Sequence, residues 1–261
     1  NDSYLSTKKK ILLIEWILMD FSIILNSRGR PHLLMNLLDS IFSGAVNSNS
    51  TQVIVGVDND DVRTLQSLPL IKATFADLED NIVIEVGDRP TNLHTAINKL
   101  SQKATGKYIF ILNDDVLFLT KGWDEKISTQ IENKLDNFQD RILYAAVSDT
   151  SIDKAEHQNY ASFPIITKEA ADCMGSIMHE NFVGLGGDVC LYRIFEQIDR
   201  VLFIKDVHLD HIFHSSLERV VNPDETAAEM RKNTWENPAD PWTQDISKEV
   251  KSLNEKITSS L

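Results

Sequence analysis

The chain has 261 residues, a length that suits one large α/β domain or two small ones. With 42% hydrophobic and 25% charged residues, its composition is that of an ordinary globular protein, so a core of useful size can be buried and disorder is not the default. A formal net charge of −13 argues against a nucleic-acid-binding surface, which needs clustered Lys and Arg, but it leaves room for a phosphate ligand bridged by a divalent cation and a few local basic groups.

Two cysteines, Cys173 and Cys190, show no metal-type spacing and make no disulfide framework, which points to a reducing compartment and a cytoplasmic location. The apolar stretch Ile11 to Leu25 is interrupted by Glu15 and Asp20 and falls short of the roughly 20 apolar residues a membrane span requires. Lys8 to Lys10 imitate the start of a signal peptide, but no small-residue cleavage site follows. Residues 1–20 therefore read as an N-terminal extension, with peripheral membrane contact left open and no integral span.

From Phe21 onward strand and helix alternate. Ser22 to Leu25 is a short apolar strand that ends in the polar loop Asn26-Ser27-Arg28-Gly29-Arg30. Pro31 sits where a first helical turn tolerates proline, and Leu33, Leu34, Leu37, Leu38 and Ile41 follow at helical spacing. Val53 to Val57 is a second strand, ending at Asp58-Asn59-Asp60-Asp61, and Ile82 to Val86 a third. Thr91 can cap a helix carrying Leu93, Ala96, Ile97 and Leu100, which Gly106 would close. Tyr108 to Leu112 is a wholly apolar fourth strand, ending at Asn113-Asp114-Asp115. Continuous apolar runs separated by helices predict a mostly parallel sheet covered on both faces, which binds ligands beyond the carboxyl ends of its strands.

The second half is less regular. Arg141 to Val147 reads as a strand, and Ser148 to Ala161 as a loop. Gly184 to Gly187 is a flexible turn leading to Asp188 and a helix that carries Val189, Cys190, Leu191, Ile194, Phe195 and Ile198. Val201 to Ile204 and Val207 to Phe213 are extended, and residues 222–261 form a polar tail with Trp235 and Trp242 near two prolines.

Three strand ends thus place acidic or phosphate-capable groups on one rim. Carboxylates such as Asp114 and Asp115 at a strand end suit a hard divalent cation that takes its other ligands from water and phosphate, although Asn and Asp are also common turn formers. Asp58 can accept a hydrogen bond from a base or ribose, or cap a helix. Asn26 to Arg30 can cradle a base or phosphate, with Arg28 and Arg30 as donors, or merely lead into a helix. Asp188 at a glycine-rich turn can take a proton from an attacking hydroxyl or cap its helix, and the two roles are compatible. In a regular strand His208 and His214 share one face and His211 the other, so the three cannot ligate one metal together. No dinucleotide-binding glycine fingerprint, Walker A sequence or Gly-x-Ser-x-Gly elbow occurs.

Together these segments resemble the family-2 glycosyltransferases of the GT-A fold, from about Phe21 to His214. The most specific piece is Ala104-Thr105-Gly106-Lys107-Tyr108-Ile109-Phe110-Ile111-Leu112-Asn113-Asp114-Asp115, similar to the family's A-x-G-x-Y-hydrophobic-L-D-x-D run. Asn113 departs from it, standing where the first Asp is usual. The resemblance implies an α/β, Rossmann-like GT-A domain over residues 21–221, with a nucleotide-binding half to residue 119 and an acceptor-binding half beyond. It implies a divalent metal, Mn2+ or Mg2+, held by Asp115 and His211. The donor would be a nucleotide-sugar, with UDP-sugar the first expectation, contacted by Asn26, Ser27, Arg28, Arg30, Asp58, Asn113 and Asp114. It further implies inverting direct displacement onto a glycan or other hydroxyl acceptor, with Asp188 as the base. Two other readings stay open: a sugar nucleotidyltransferase, although the loop Asn26 to Arg30 lacks its glycine-rich pattern, and a non-catalytic nucleotide- or sugar-binding domain, which Asn113 keeps open.

Overall fold

The computed structural model describes residues 19–150, 163–182, 186–212 and 244–260. Elements in chain order are β1 (Phe21–Ser27), α1 (Pro31–Gly44), β2 (Thr51–Asp58), α2 (Val62–Thr74), β3 (Ile82–Gly87), α3 (Leu93–Ser101), β4 (Tyr108–Ile111), β5 (Val116–Phe118), α4 (Trp123–Leu135), β6 (Tyr144–Asp149), β7 (Ile165–Thr167), α5 (Lys168–Met174), α6 (Gly187–Gln197), β8 (Val201–His211) and α7 (Ser247–Ser260). The eight strands form one sheet in the order β3-β2-β1-β4-β7-β6-β8-β5. Strands β1 to β4 pair in parallel, as do β6 and β8, while β7 runs antiparallel to β4 and β6, and β5 to β8.

The expected α/β architecture is borne out, and its cause is visible in β1. Ile23 and Leu25 face one core with Val53, Val55, Phe110 and the apolar stripe of α1. Ile24, one residue out of step, faces a second core with Ile54, Ile109 and the inner faces of α3 and α6. A strand buried on both faces has no reason to alternate, which is why these runs are apolar throughout. Helices cover both faces, and α7, at the end of the segment read as a polar tail, packs on α5 and α6 and buries Leu253 completely.

Several local readings are corrected. Asn92, not Thr91, caps α3: its side chain accepts from the amides of His94 and Thr95. Gly106 does not close that helix, which ends at Ser101. It stands instead where two strands meet, and a Cβ there would lie 2.5 Å from the Phe21 carbonyl carbon and 2.6 Å from the Ser22 nitrogen. The Ser22 hydroxyl receives the amides of Gly106 (2.9 Å) and Thr105 (3.1 Å) and donates to Gln52 (2.7 Å), fixing this junction. The two extended segments near residues 201–213 are a single strand, β8, with a break in its pairing to β6 after Ile204. Among the described residues no helix is long and apolar enough to cross a membrane. Residues 1–18, most of the expected loop 148–161, His214, Trp235 and Trp242 lie outside the described residues.

Because the atoms that a Gly106 side chain would strike are backbone, relief requires strands to part. Gly106→Ala is expected to destabilise the fold by about 2 kcal/mol; an unchanged urea-denaturation midpoint would show that the junction yields freely.

Candidate active site

The carboxyl ends of β1, β2 and β4 meet on one rim, and their side chains are tied to one another across it. Gly29, at φ +71° in the loop after β1, donates its amide to Asp61 Oδ2 at 2.7 Å. The other oxygen of Asp61 accepts from the Thr64 amide at 3.1 Å, capping α2. Burial alone would raise the Asp61 carboxyl, but the Thr64 and Gly29 donors hold it below the usual range. One carboxylate thus fixes both the loop and the helix that frame the rim. Sequence reading saw Asp61 only as part of an acidic crowd, although an Asp three residues ahead of Thr64 at a helix start was a legible capping pattern.

Arg28 reaches across from the same loop. It donates to Asp58 Oδ2 at 2.8 Å and makes a two-pronged contact with Asp60, which is itself half exposed. The Asp58 carboxyl is pushed up by partial burial, with Arg28 opposing that shift. Asp60 is pulled down by Arg28.

The Asn113-Asp114-Asp115 segment divides sharply. Asn113 is exposed, whereas Asp114 and Asp115 are 1% and 4% accessible. Asp114 accepts from the Ser27 hydroxyl at 2.8 Å and pairs with Arg30 Nη2. Asp115 lies 3.4 Å from Arg30 Nη1 and 3.2 Å from His211 Nε2. Its Oδ1 is buried and makes no hydrogen bond of good geometry. Burial pushes the Asp115 carboxyl up, and His211 and Arg30 beside it more than offset that, so it stays ionised below the ordinary carboxylate range. His211 arrives there by strand pairing: β5 aligns Val116 with His211, and the Ile212 amide donates to the Asp115 carbonyl at 3.0 Å. His208, three residues earlier, is held through its own amide to Thr120 Oγ1 at 2.9 Å.

Asn26, the penultimate residue of β1, has a buried side-chain nitrogen with no hydrogen-bond partner. A donor in that condition is costly unless something else completes it. Asp188 opens α6 after the glycine turn, and burial raises its carboxyl above the ordinary range. The preceding Gly187 touches His94 in the first turn of α3. Since α3 starts from the carboxyl side of β3, this places the Asp188 turn towards the same rim. Asp188 is not bonded into the Asp58–Asp115 network.

A sequence profile, Glycosyl transferase family 2, matches residues 22–184. The chain belongs to that family. No curated protein matches it. Solved structures share the fold: the mannosyltransferase PcManGT from Pyrobaculum calidifontis, in complex with GDP-Man and Mn2+, has a TM-score of 0.58 at 13% identity over 98% of this chain and 81% of that one. TarS of S. aureus has a TM-score of 0.57 at 11% identity over 91% of this chain and 43% of that one, so this chain spans less than half of that TarS chain. A TarS 1–349 complex with UDP matches at 0.55 and 11% identity, over 91% of this chain and 70% of that chain. These structures show the GT-A fold, and the profile shows membership of glycosyltransferase family 2.

In this chain Asn26, Ser27, Arg28, Arg30, Asp58, Asp114, Asp115 and His211 come from the strand ends and the loop that form this rim, whereas Asn113 is exposed and Asp188 lies at the start of α6, outside the Asp58–Asp115 network. The two arginines differ in what they hold. Arg30→Ala would leave Asp114 and Asp115, both buried, short of their counter-charge, and should cost about 3 kcal/mol or more. Arg28→Ala faces the solvent-exposed Asp60 and should cost about 1 kcal/mol or less. Chemical denaturation of both variants checks the order, and equal losses would contradict it.

Proposed function

We propose that this enzyme transfers a sugar from a nucleotide-diphosphate-sugar, with UDP-sugars first among candidates, to a hydroxyl of a glycan or similar acceptor, using a divalent cation and inverting the anomeric centre. The observation that supports this most is the Asp115–His211 pair: a buried, ionised carboxylate with an oxygen lacking a good hydrogen bond, 3.2 Å from an imidazole nitrogen. Oxygen and imidazole donors suit Mn2+ or Mg2+. Among the described residues no group of three or more His, Cys, Asp or Glu forms a full metal cage. The complexes of the structural relatives with UDP, or with GDP-Man and Mn2+, support the same class of donor.

In this reading residues 21–119 bind the nucleotide and 120–221 the acceptor. Asp115 and His211 would hold the cation, which when bound would supply charge neutralisation for a departing nucleoside diphosphate. Asn26, through its unpartnered nitrogen, and Asp58 contact base or ribose, and Arg28 and Arg30 lie beside them as phosphate donors. Asp114 accepts from the Ser27 hydroxyl and pairs with Arg30, so that Ser27 and Asp114 together set the Arg30 guanidinium on the nucleotide side. Asn113 stays in solvent at the rim, within reach of the nucleotide from outside. Asp188 takes the proton of the acceptor hydroxyl as the new bond forms; a carboxyl raised by burial is a better base than an ordinary aspartate.

Asp188→Asn is expected to abolish transfer and leave nucleotide binding intact; parallel loss of both would remove the base assignment. With Asp188 in that role, the acid limb of kcat/KM should lie above the roughly 3.9 of an unperturbed Asp, since activity is lost as pH falls through a raised value. Thermal melting with UDP, GDP, dTDP and CDP, each with and without Mn2+, should show one nucleotide whose stabilisation requires metal and is lost in Asp115→Ala. A ligand at a hundred times its Kd stabilises by about 2.7 kcal/mol. No shift with any nucleotide would favour the non-catalytic reading that Asn113 left open.

A further inference from the structure

Helix α3 carries a row of polar side chains that grip one stretch of backbone. Asn92 donates from its amide nitrogen to the Glu180 carbonyl at 2.8 Å, while its oxygen caps the helix. His94 Nδ1 meets the Phe182 carbonyl at 2.7 Å. Asn98 closes a two-way clamp, donating to the Met178 carbonyl at 2.8 Å and accepting from the Met178 amide at 2.7 Å. The gripped residues alternate, 178, 180 and 182, so the cap and one face of α3 together hold the backbone of residues 178–182. His94 and Asn98 are 4% and 7% accessible, which makes these bonds costly to lose.

His94 does something more. A carbonyl only accepts, so Nδ1 donates to it, and burial holds the ring below the ordinary histidine range against the opposing pull of its hydrogen bonds to the Phe182 and His179 backbone. The far edge of the ring then fills the space where a side chain of residue 187 would stand: a Cβ there would lie 2.7 Å from both Cε1 and Nε2 of His94 and 2.9 Å from Met178 Cε. Gly187 is the first residue of α6 and has no positive φ that would demand glycine. Alanine is favoured over glycine inside a helix by about 1 kcal/mol, so local propensity does not explain the residue; the imidazole does. The peptide that carries Asp188 is seated directly on that ring.

We infer that His94 is a positioning residue for the reaction: an imidazole held by the Phe182 carbonyl, against which Gly187 is seated, that sets the direction in which α6 presents Asp188. This rests on Asp188 being the base. Its contribution is to geometry rather than to donor binding, because none of the three polar side chains of α3 bonds to the residues that face the nucleotide. Misplacing a catalytic group by about 1 Å can cost on the order of 100-fold in rate.

The test uses the full chain, with nucleoside diphosphate release from a panel of UDP- and GDP-sugars in Mn2+ as the turnover assay and backbone hydrogen exchange as the structural readout. His94→Ala should speed exchange over residues 178–182 and the first turn of α6, and lower kcat roughly 100-fold. Nucleotide affinity and donor KM should stay within about twofold of the parent, and His94→Asn, which keeps a donor near the Nδ1 position, should recover most of the rate. Unchanged exchange, unchanged turnover beside faster exchange, or an equal loss of nucleotide affinity each overturns the inference. If His94→Ala does not fold, Gly187→Ala decides in its place, since it drives a Cβ into the ring: a fall in kcat at constant KM supports the role, and full activity removes it. Asp188→Asn runs alongside. Turnover retained there defeats the base reading, whereas a dead Asp188→Asn beside a fully active His94→Ala defeats the positioning role alone.

Discussion

Carboxylates taken out of water must be compensated, and this rim collects four that are buried or partly buried, with the half-exposed Asp60 beside them, around two arginines and a histidine. Asp58, Asp60 and Asp61 end β2, Asp114 and Asp115 end β4, and the arginines come from the loop that leaves β1. In a chain with a net charge of −13 those cations are not spare. They fix where the strand ends can lie relative to one another, because parting them would leave Asp114 and Asp115 buried and under-compensated. The same compensation keeps Asp115 ionised, the state in which a carboxylate can hold a cation. Stability and chemistry therefore draw on the same interactions at this rim.

Much of this was readable from residue order. The runs Ser22–Leu25, Val53–Val57 and Tyr108–Leu112 had no polar interruption, and only strands buried on both faces need that. The polar clusters that follow them could then lie only on the carboxyl rim. Asp115 and His211 were paired from resemblance alone, and their separation in the structure is 3.2 Å.

What stayed hidden depends on partners far away in the chain. Gly106 looked like a helix stop because glycine commonly is one; its real constraint is the backbone of Phe21 and Ser22, more than eighty residues earlier. His94 carried no sequence signal, since its meaning comes from Phe182 and Gly187. Arg28 and Arg30 looked like phosphate ligands, but without the carboxylates facing them the sequence could not show that they also hold the rim together. Sequence reading found the elements and the rim, and missed the contacts that join one half of the chain to the other.

The pairing of β5 with β8 has a consequence for how this enzyme comes into being. Asp115 and His211 are roughly a hundred residues apart along the chain, and the strand that joins them, β5, lies at the sheet edge with β8 as its neighbour. Contacts of such separation form late, after the entropy of closing a long loop has been met. During synthesis the strands β1 to β4 and their helices can collapse while β8 is still absent, leaving Asp115 beside Arg30 without its imidazole. On the proposed function, the nascent protein would acquire the rim before it could retain a cation there, and the competent centre would appear only once β8 is in place.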